Sequence, residues 1–365
     1  MKQSVNNSTL PVRVACAVVF FIFSFCYLYF YQADVLAMGQ HVKAEGQTRY
    51  EPLIGAVLIT VVLYLLHLVV FAVTRLHKRF HALTYFPSLL FLLFLTHYGE
   101  HLKPGFSVGW WTVAVVLLLA AFAWVAWTLY QLQPYEPKTV ETGLLSRLSL
   151  INMFTLAVMF LLVCLLANHN DVFHYRMRME SLMRNGRYAE AVEVGKRSPQ
   201  TDGSLLMLRV YALAHEHQLG ERLFEFPISG GRSNMRPGPD AHSLMIPELE
   251  ITRFASGSVA DDYRLCGYLL DKDLGSFVAS VSKCYDIRSP RLPKHYKEAL
   301  TLYMHKSPSP TVAFHDNVLE ADYEDLRRIV RETPDNMEKY NTIRETYGNT
   351  YWFYWMYGNR KVSEK

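Results

Sequence analysis

The residues best placed to do chemistry are His97-Tyr98-Gly99-Glu100-His101, a literal H-x-x-E-H. On a continuous helix that order can set two imidazoles and a carboxylate around a zinc ion, as in inverted zincins. Here Gly99 interrupts the motif and Lys103-Pro104-Gly105 follows it, so only its first residue is securely helical, and no third-ligand motif is evident. A polar turn at a membrane edge is the expectation, with no metal. His67 is the strongly polar side chain inside an apolar run, with Tyr64 one turn earlier within reach. Intramembrane ionisable residues are functional candidates by default, yet a neutral imidazole is cheap to bury, so the expectation is an interhelical hydrogen bond. His215-Glu216-His217 sets its two rings about 200° apart on a helix, which prevents a shared metal. His315-Asp316-Asn317 looks like a helix-capping cluster. The chain has neither a G-x-x-x-x-G-K-[ST] stretch nor a glycine-rich dinucleotide fingerprint, and no serine nucleophile with an adjacent base can be singled out. No catalytic activity, cofactor or metal is expected.

The elements that would carry these residues divide sharply. Residues 1–168 hold five apolar stretches, near 12–31, 53–74, 83–97, 110–132 and 148–167, and residues 169–365 hold none. Four of the five are long enough to cross roughly 30 Å of hydrocarbon as helices. The third is shorter and carries Pro87 near its start; it is expected to span rather than re-enter. The predicted architecture is all-α: an N-terminal bundle of about five transmembrane helices, followed by a soluble helical domain over 169–365. The first stretch is an uncleaved anchor, being longer than a signal-peptide core and lacking a small-x-small site near Tyr31-Gln32-Ala33. Tyr27, Tyr29 and Tyr31, the pair Trp110 and Trp111, and Trp124, Trp127 and Tyr130 fit interfacial aromatic belts.

Charge follows the same division. Residues 1–167 contain ten of the 37 Lys and Arg and six of the 33 Asp and Glu, leaving 27 of each sign for the remainder. A neutral soluble half with interleaved signs argues against a nucleic-acid partner. In the short flanks, Lys2, Arg13, Arg75, Lys78, Arg79, Lys138 and Arg147 collect on one side and Lys43, Arg49 and Lys103 on the other. The richer side marks the cytoplasm, so the N-terminus is expected inside and residues 168–365 outside the cytoplasm. Arg176, Arg178, Arg184 and Arg187 pull the other way, with little weight on a large translocated domain.

The soluble half reads as paired helices. Asp171–Arg184 stops at Asn185-Gly186 and restarts at Arg187; Asp202 caps a helix running through Leu213, which breaks at Leu219-Gly220 and resumes over Glu221–Phe226. Pro227–Asp240 is a break, after which helices are predicted over 259–270, 274–285, 294–304, 317–332 and 335–347. Gly186-Arg187-Tyr188-Ala189-Glu190-Ala191 resembles the turn and second-helix opening of a tetratricopeptide repeat. With Leu219–Phe224, Leu292–Tyr303 and Tyr347–Trp352, it makes the chain similar to a family of uncharacterised bacterial multi-pass membrane proteins with a C-terminal tetratricopeptide-like domain. That resemblance implies an architecture and a bacterial envelope setting, in the inner membrane, and no reaction.

Two functions from different classes fit. One is a membrane-anchored scaffold whose helical repeats bind another envelope protein or peptide. The other is a small-molecule transporter or sensor with an accessory soluble domain, disfavoured because the spans carry few ionisable residues and no broken-helix pair. For the scaffold, Tyr351, Trp352 and Trp355 are the expected partner-binding residues, since i, i+1 and i+4 share a helical face in a segment where six of seven residues are aromatic. Cys266 and Cys284, on neighbouring predicted helices, could be joined in an oxidising compartment if their Cα atoms come within about 7 Å, although their registers differ by about a turn.

Overall fold

The computed structural model describes residues 10–96, 110–132 and 146–358. Among these residues it is helical, with one isolated bridge between Gly238 and Ala241 and no sheet. The chain divides into two compact units, Met1–Asn170 and Asp171–Lys365.

The first unit comprises α1 (Leu10–Cys26), which continues as a π-helical turn over Tyr27–Tyr31, then α2 (Ala33–Lys43), α3 (Pro52–Thr74), α4 (Phe86–Thr96), α5 (Trp110–Leu132) and α6 (Arg147–Leu166). Among the described residues, five stretches are long and apolar enough to cross a membrane: Leu10–Tyr31, Pro52–Thr74, Arg79–Thr96, Thr112–Leu132 and Arg147–Leu166. Their outward faces are also apolar, with Ile54, Val73, Trp124 and Phe154 all exposed, a surface that water tolerates poorly when it is continuous. Pro52 opens α3, where its missing N–H costs nothing, and Arg75 closes it in the left-handed region at φ 50°.

The third stretch begins earlier than the hydrophobic pattern suggested. A 3₁₀ segment, Lys78–Tyr85, leads into α4. Pro87 occupies the second position of α4 and therefore opens the helix instead of breaking it. At about 2 Å per 3₁₀ residue and 1.5 Å per α residue, Arg79–Thr96 extends on the order of 30 Å. It is the most enclosed of the five, with α3, α5 and α6 packed against α4 and Leu89, Leu90, Leu92 and Leu93 buried. Asn152 on α6 fixes it from the side: Oδ1 accepts from the Ala82 N–H at 2.8 Å while Nδ2 donates to the Leu148 carbonyl at 2.9 Å. The polar-looking stretch after Tyr31 is also not a plain turn, since α2 forms there and buries Val35, Leu36 and Met38.

The second unit comprises α7 (Asp171–Arg184), α8 (Tyr188–Glu193), α9 (Gly203–His215), α10 (Leu219–Arg222), α11 (Glu248–Ala255), α12 (Ala260–Leu270), α13 (Leu274–Cys284), α14 (Lys294–Lys306), α15 (Asn317–Glu332), α16 (Asn336–Tyr347) and α17 (Tyr351–Tyr357). Asp202, Asp273, Asp316 and Asp335 each cap the helix that follows by accepting its first free N–H groups. Helices α7, α9 and α12 share one ending. Gly186, His217 and Lys272 take left-handed backbones at φ 71°, 54° and 58°, and the next N–H reaches back to Leu182, Leu213 and Tyr268 respectively.

Here the structure corrects two boundaries. The break expected at Leu219-Gly220 lies at His217, and α10 starts at Leu219. Gly220 is there for space: a Cβ would sit 2.6 Å from the Tyr296 ring. Helix α11, unforeseen in the sequence, follows the Pro/Gly-rich segment after Phe226. One apolar core runs from Met179 to Tyr354. The buried Glu180 pins the loop beside it, accepting from the Ser243 hydroxyl at 2.8 Å and the Leu244 and Met245 amides at 3.0 and 2.5 Å.

Candidate functional site

Helix α17 is capped by Thr350, whose side chain accepts from the Phe353 N–H, and the face expected to dock a partner is the face that turns inward. Tyr351 is 0% exposed and Trp352 2%, while Trp355 is half-buried. Tyr351 donates its amide to Glu298 Oε2 at 2.7 Å and its hydroxyl to the Leu269 carbonyl at 3.3 Å. The Trp352 indole N–H reaches the Glu298 carbonyl at 2.8 Å. These contacts remove Tyr351 and Trp352 from the list of partner-binding residues: the i, i+1, i+4 face exists, and the core claims it.

Beneath α17 lies a buried carboxylate–imidazole pair that the sequence did not reveal. Glu298 Oε2 is 2.8 Å from His295 Nδ1, and both residues are enclosed. His295 Nε2 accepts the Phe224 N–H at 3.2 Å, so the ring hydrogen is on Nδ1 and is donated to Glu298. Every polar atom of the pair that this geometry uses is bound to the protein, leaving no face for a substrate. It is a lock between α14, α17 and the 3₁₀ turn Leu223–Glu225 that follows α10.

The other sequence candidates separate. His97–His101 lies outside the described residues. His67 makes the expected interhelical bond, to Thr84 at 3.1 Å rather than to Tyr64. The His215 ring is stacked between Tyr188 and Phe254 at centroid distances of 4.1 and 3.9 Å, and burial lowers its protonation below the usual imidazole range. His217 ends the helix on the surface. His315 contacts Glu320, which raises its pKa, and neighbouring Asp316 caps α15 through Val318 and Leu319. Cys266 Sγ is 3.4 Å from the Tyr296 hydroxyl, and Cys284 Sγ accepts from Arg264 at 3.2 Å, so the two thiols have separate neighbours. Among the described residues no three His, Cys, Asp or Glu side chains gather in a metal-holding group.

An open cleft of about 670 Å³ remains, lined by Tyr175 on α7, Glu193 through the Gly195–Ser198 turn, Glu225 and Asn349. Gly195 takes φ 66°, and a Cβ there would press to 3.0 Å on the Tyr175 ring. Arg222 bridges Glu193 at 2.5 Å and Glu225 at 3.2 Å, and Lys196 approaches the same carboxylates at 3.4 and 3.5 Å. Arg222 first, and then Lys196, hold the Glu193 carboxyl below its ordinary pKa. Behind the wall, the Phe226 ring is surrounded by the cationic groups of Arg209, Lys196 and Arg222 at 4.8, 5.2 and 5.5 Å. Arg209 is buried and donates Nη2 to the Val194 carbonyl at 2.6 Å, and desolvation lowers its pKa to about 10.

A model described as a family of unknown function, DUF6057, matches residues 100–245 and 252–358. The chain belongs to that family. The DUF6057 segments take in every residue lining the cleft, together with His295, Glu298 and the aromatics of α17. No curated protein and no solved structure matches the chain.

Proposed function

We propose that the chain is a membrane-anchored helical scaffold, without catalytic activity, whose C-terminal unit binds another protein or peptide of the bacterial cell envelope. Five apolar helices serve as the anchor in the lipid bilayer of the inner membrane, with the N-terminus cytoplasmic and the C-terminal unit periplasmic. The helix pairs closed at Gly186, His217 and Lys272 act as tetratricopeptide-like units, and stacked pairs of this kind present grooves. The observation that carries the reading is the cleft between Tyr175, the 193–198 turn, Glu225 and Asn349. Its carboxylates and cations are paired with one another but partly open to water, a surface suited to an extended polar peptide bearing both signs of charge.

The test is photocrosslinking from position 175 of the full chain in native membranes, with position 253 on α11 as an exposed control. A discrete protein adduct at 175, lost on Glu193→Lys and Lys196→Glu, supports the scaffold. An adduct no stronger than at 253, or one indifferent to both charge reversals, overturns it. Orientation is checked separately: a periplasm-dependent reporter should be active after Lys365 and silent at Lys78, and the reverse result moves the domain to the cytoplasm.

A further inference from the structure

The bundle of the first unit holds an unusual interior. Among its described residues, Ser24, Gln32, Thr60, His67, His81, Thr84, Ser88, Thr96, Ser149 and Asn152 are all buried polar side chains, in a set of helices whose outer faces are apolar. Three residues stand at the centre of one end. His67 on α3 stacks flat on Tyr85, with centroids 3.6 Å apart and planes at 5°. His81 stands edge-on to both, at 5.5 Å from His67 and 5.8 Å from Tyr85. None of the three is more than 3% exposed.

Their hydrogen bonding is incomplete in a specific way. Thr84 Oγ1 donates its single hydrogen to the His81 carbonyl at 2.6 Å, so the 3.1 Å contact with His67 Nδ1 must have the imidazole as donor. In the neutral His67 ring this leaves the lone pair on Nε2. Among the described residues, both ring nitrogens of His81 and the hydroxyl of Tyr85 have no hydrogen-bond partner. An imidazole always carries at least one N–H, and leaving such groups dry in an apolar interior costs on the order of 1–3 kcal/mol each. The surrounding groups do not relieve this. Arg13 lies over the Phe71 ring at 4.6 Å, His77 faces the same ring at 5.2 Å, and Tyr64 is 5.6 Å from His67.

Further hydroxyls continue away from this end. Ser88, one turn beyond Tyr85, donates to the Leu63 carbonyl at 2.8 Å; the hydroxyls of Thr60 and Ser24 have no partner among the described residues. Tyr27 and Thr96 meet at 3.4 Å near the opposite end, and Gln32 Nε2 donates to the Tyr27 hydroxyl at 3.2 Å while its Oε1 has no partner among the described residues. Helix α1 with its π-helical turn runs from Arg13 to Tyr27 along this set, and the 3₁₀ segment with α4 runs from His81 to Thr96.

We infer that the bundle conducts protons along this file, with His81 as the relay and water completing the links between His81, Tyr85 and the hydroxyls beyond. The step balances without a co-reactant other than water. His81 accepts a proton at one ring nitrogen and releases another from the second, which returns it to neutral as the other tautomer, and tautomer exchange or a ring flip then readies it for the next proton. Tyr85 passes a proton by exchanging donor and acceptor roles at its hydroxyl. The inference is independent of the scaffold reading, because it rests on the first unit alone and its three central residues precede the segments that define the DUF6057 match.

The test uses the full chain in vesicles of phosphatidylcholine and phosphatidylglycerol, loaded with potassium and a pH-sensitive dye. A potassium diffusion potential set with valinomycin drives protons inward. Wild type should acidify the lumen at least tenfold faster than protein-free vesicles, and His81→Phe should return the rate to background. Tyr85→Phe keeps the ring stacked on His67 and removes one hydroxyl, so it should slow the flux severalfold even if His81→Phe fails to assemble. Protection of the buried Cys16 from alkylation shows which variants are folded. Wild-type flux equal to protein-free vesicles overturns the inference, as does unchanged flux in a folded His81→Phe or Tyr85→Phe protein.

Discussion

Replacing Trp352 with Ala tests whether α17 closes the core of the second unit. The indole is among the largest fully buried side chains, lies 5.2 Å from Tyr323 and 6.1 Å from Tyr347, and holds the Glu298 carbonyl at 2.8 Å. Removing a buried Trp costs about 3–5 kcal/mol from lost burial and the cavity left behind. The orphaned carbonyl keeps the cost toward the upper end. For a unit of this size each kcal/mol moves the melting midpoint by about 2–4 °C, so Trp352→Ala should lower it by roughly 10–15 °C. Trp355 is half-buried and has the Lys306 ammonium 5.2 Å from its ring, so Trp355→Ala should cost about 1 kcal/mol. Pulsed alkylation of Cys266, which is fully buried, reports unfolding of this unit in the intact chain when the labelled peptide is followed by mass spectrometry. A shift below about 3 °C for Trp352→Ala, or one no larger than that of Trp355→Ala, would refute the packing argument.

Four further outcomes follow from the geometry. Glu180→Ala leaves the Ser243 hydroxyl and the amides of Leu244 and Met245 without their buried acceptor, and should cost about 2–4 kcal/mol and expose residues 236–246 to protease before global unfolding; a loop that stays resistant contradicts this. His215 is held neutral by burial, so its contribution is complete above its ordinary value of 6.5 and is lost as pH falls through the lowered folded value. His215→Phe keeps the stack and cannot titrate, so wild-type stability should drop relative to the variant below about pH 6.5, and a gap constant from about pH 5 to 8 is the opposing result. Gly220→Ala forces a methyl to 2.6 Å from Tyr296, whose hydroxyl is held by Asp262 at 2.9 Å, and should cost about 1–3 kcal/mol in the same alkylation assay; a neutral effect would show that the ring can yield. Intact mass should be unchanged by reductant, since Cys266 and Cys284 have separate neighbours, and a two-dalton gain on reduction would show a disulfide.

Much of the helical order is legible in the sequence because its signals are local. Asp202, Asp316 and Asp335 precede apolar periodicity and act as caps, and Gly186 ends α7 as its freedom at positive φ suggests. The errors arise where a tertiary contact decides. His217 adopts the left-handed turn that glycine usually fills, while Gly220 yields space to a tyrosine 76 positions away, so the punctuation appears three residues late. In α17, periodicity identifies a common face for Tyr351, Trp352 and Trp355 but cannot reveal that Glu298 and Leu269 wait beneath it. The His67 bond was foreseeable as a class; its partner was not, because a 3₁₀ segment rather than a continued helix presents Thr84. The cleft has no local signature at all: its walls come from residues 175, 193–198, 225 and 349, which meet only in the fold.

The lock formed by α17 also sets an order of events during synthesis. Tyr351 and Tyr354 donate their hydroxyls to carbonyls 82 and 84 residues upstream, and Lys272 donates forward to the carbonyls of Trp355 and Gly358 across 83 and 86 residues. Translation at roughly 5–20 residues per second therefore leaves α12 and α14 without this cover for several seconds after they leave the ribosome. During that interval their uncovered apolar surface is available to chaperones and proteases. A message interrupted just before the Tyr351 codon would encode all five apolar helices and every wall of the cleft, yet its product would keep the surface beneath α17 bare and should be degraded rather than accumulate. A nonsense mutation in that single short helix should therefore resemble a deletion of the gene.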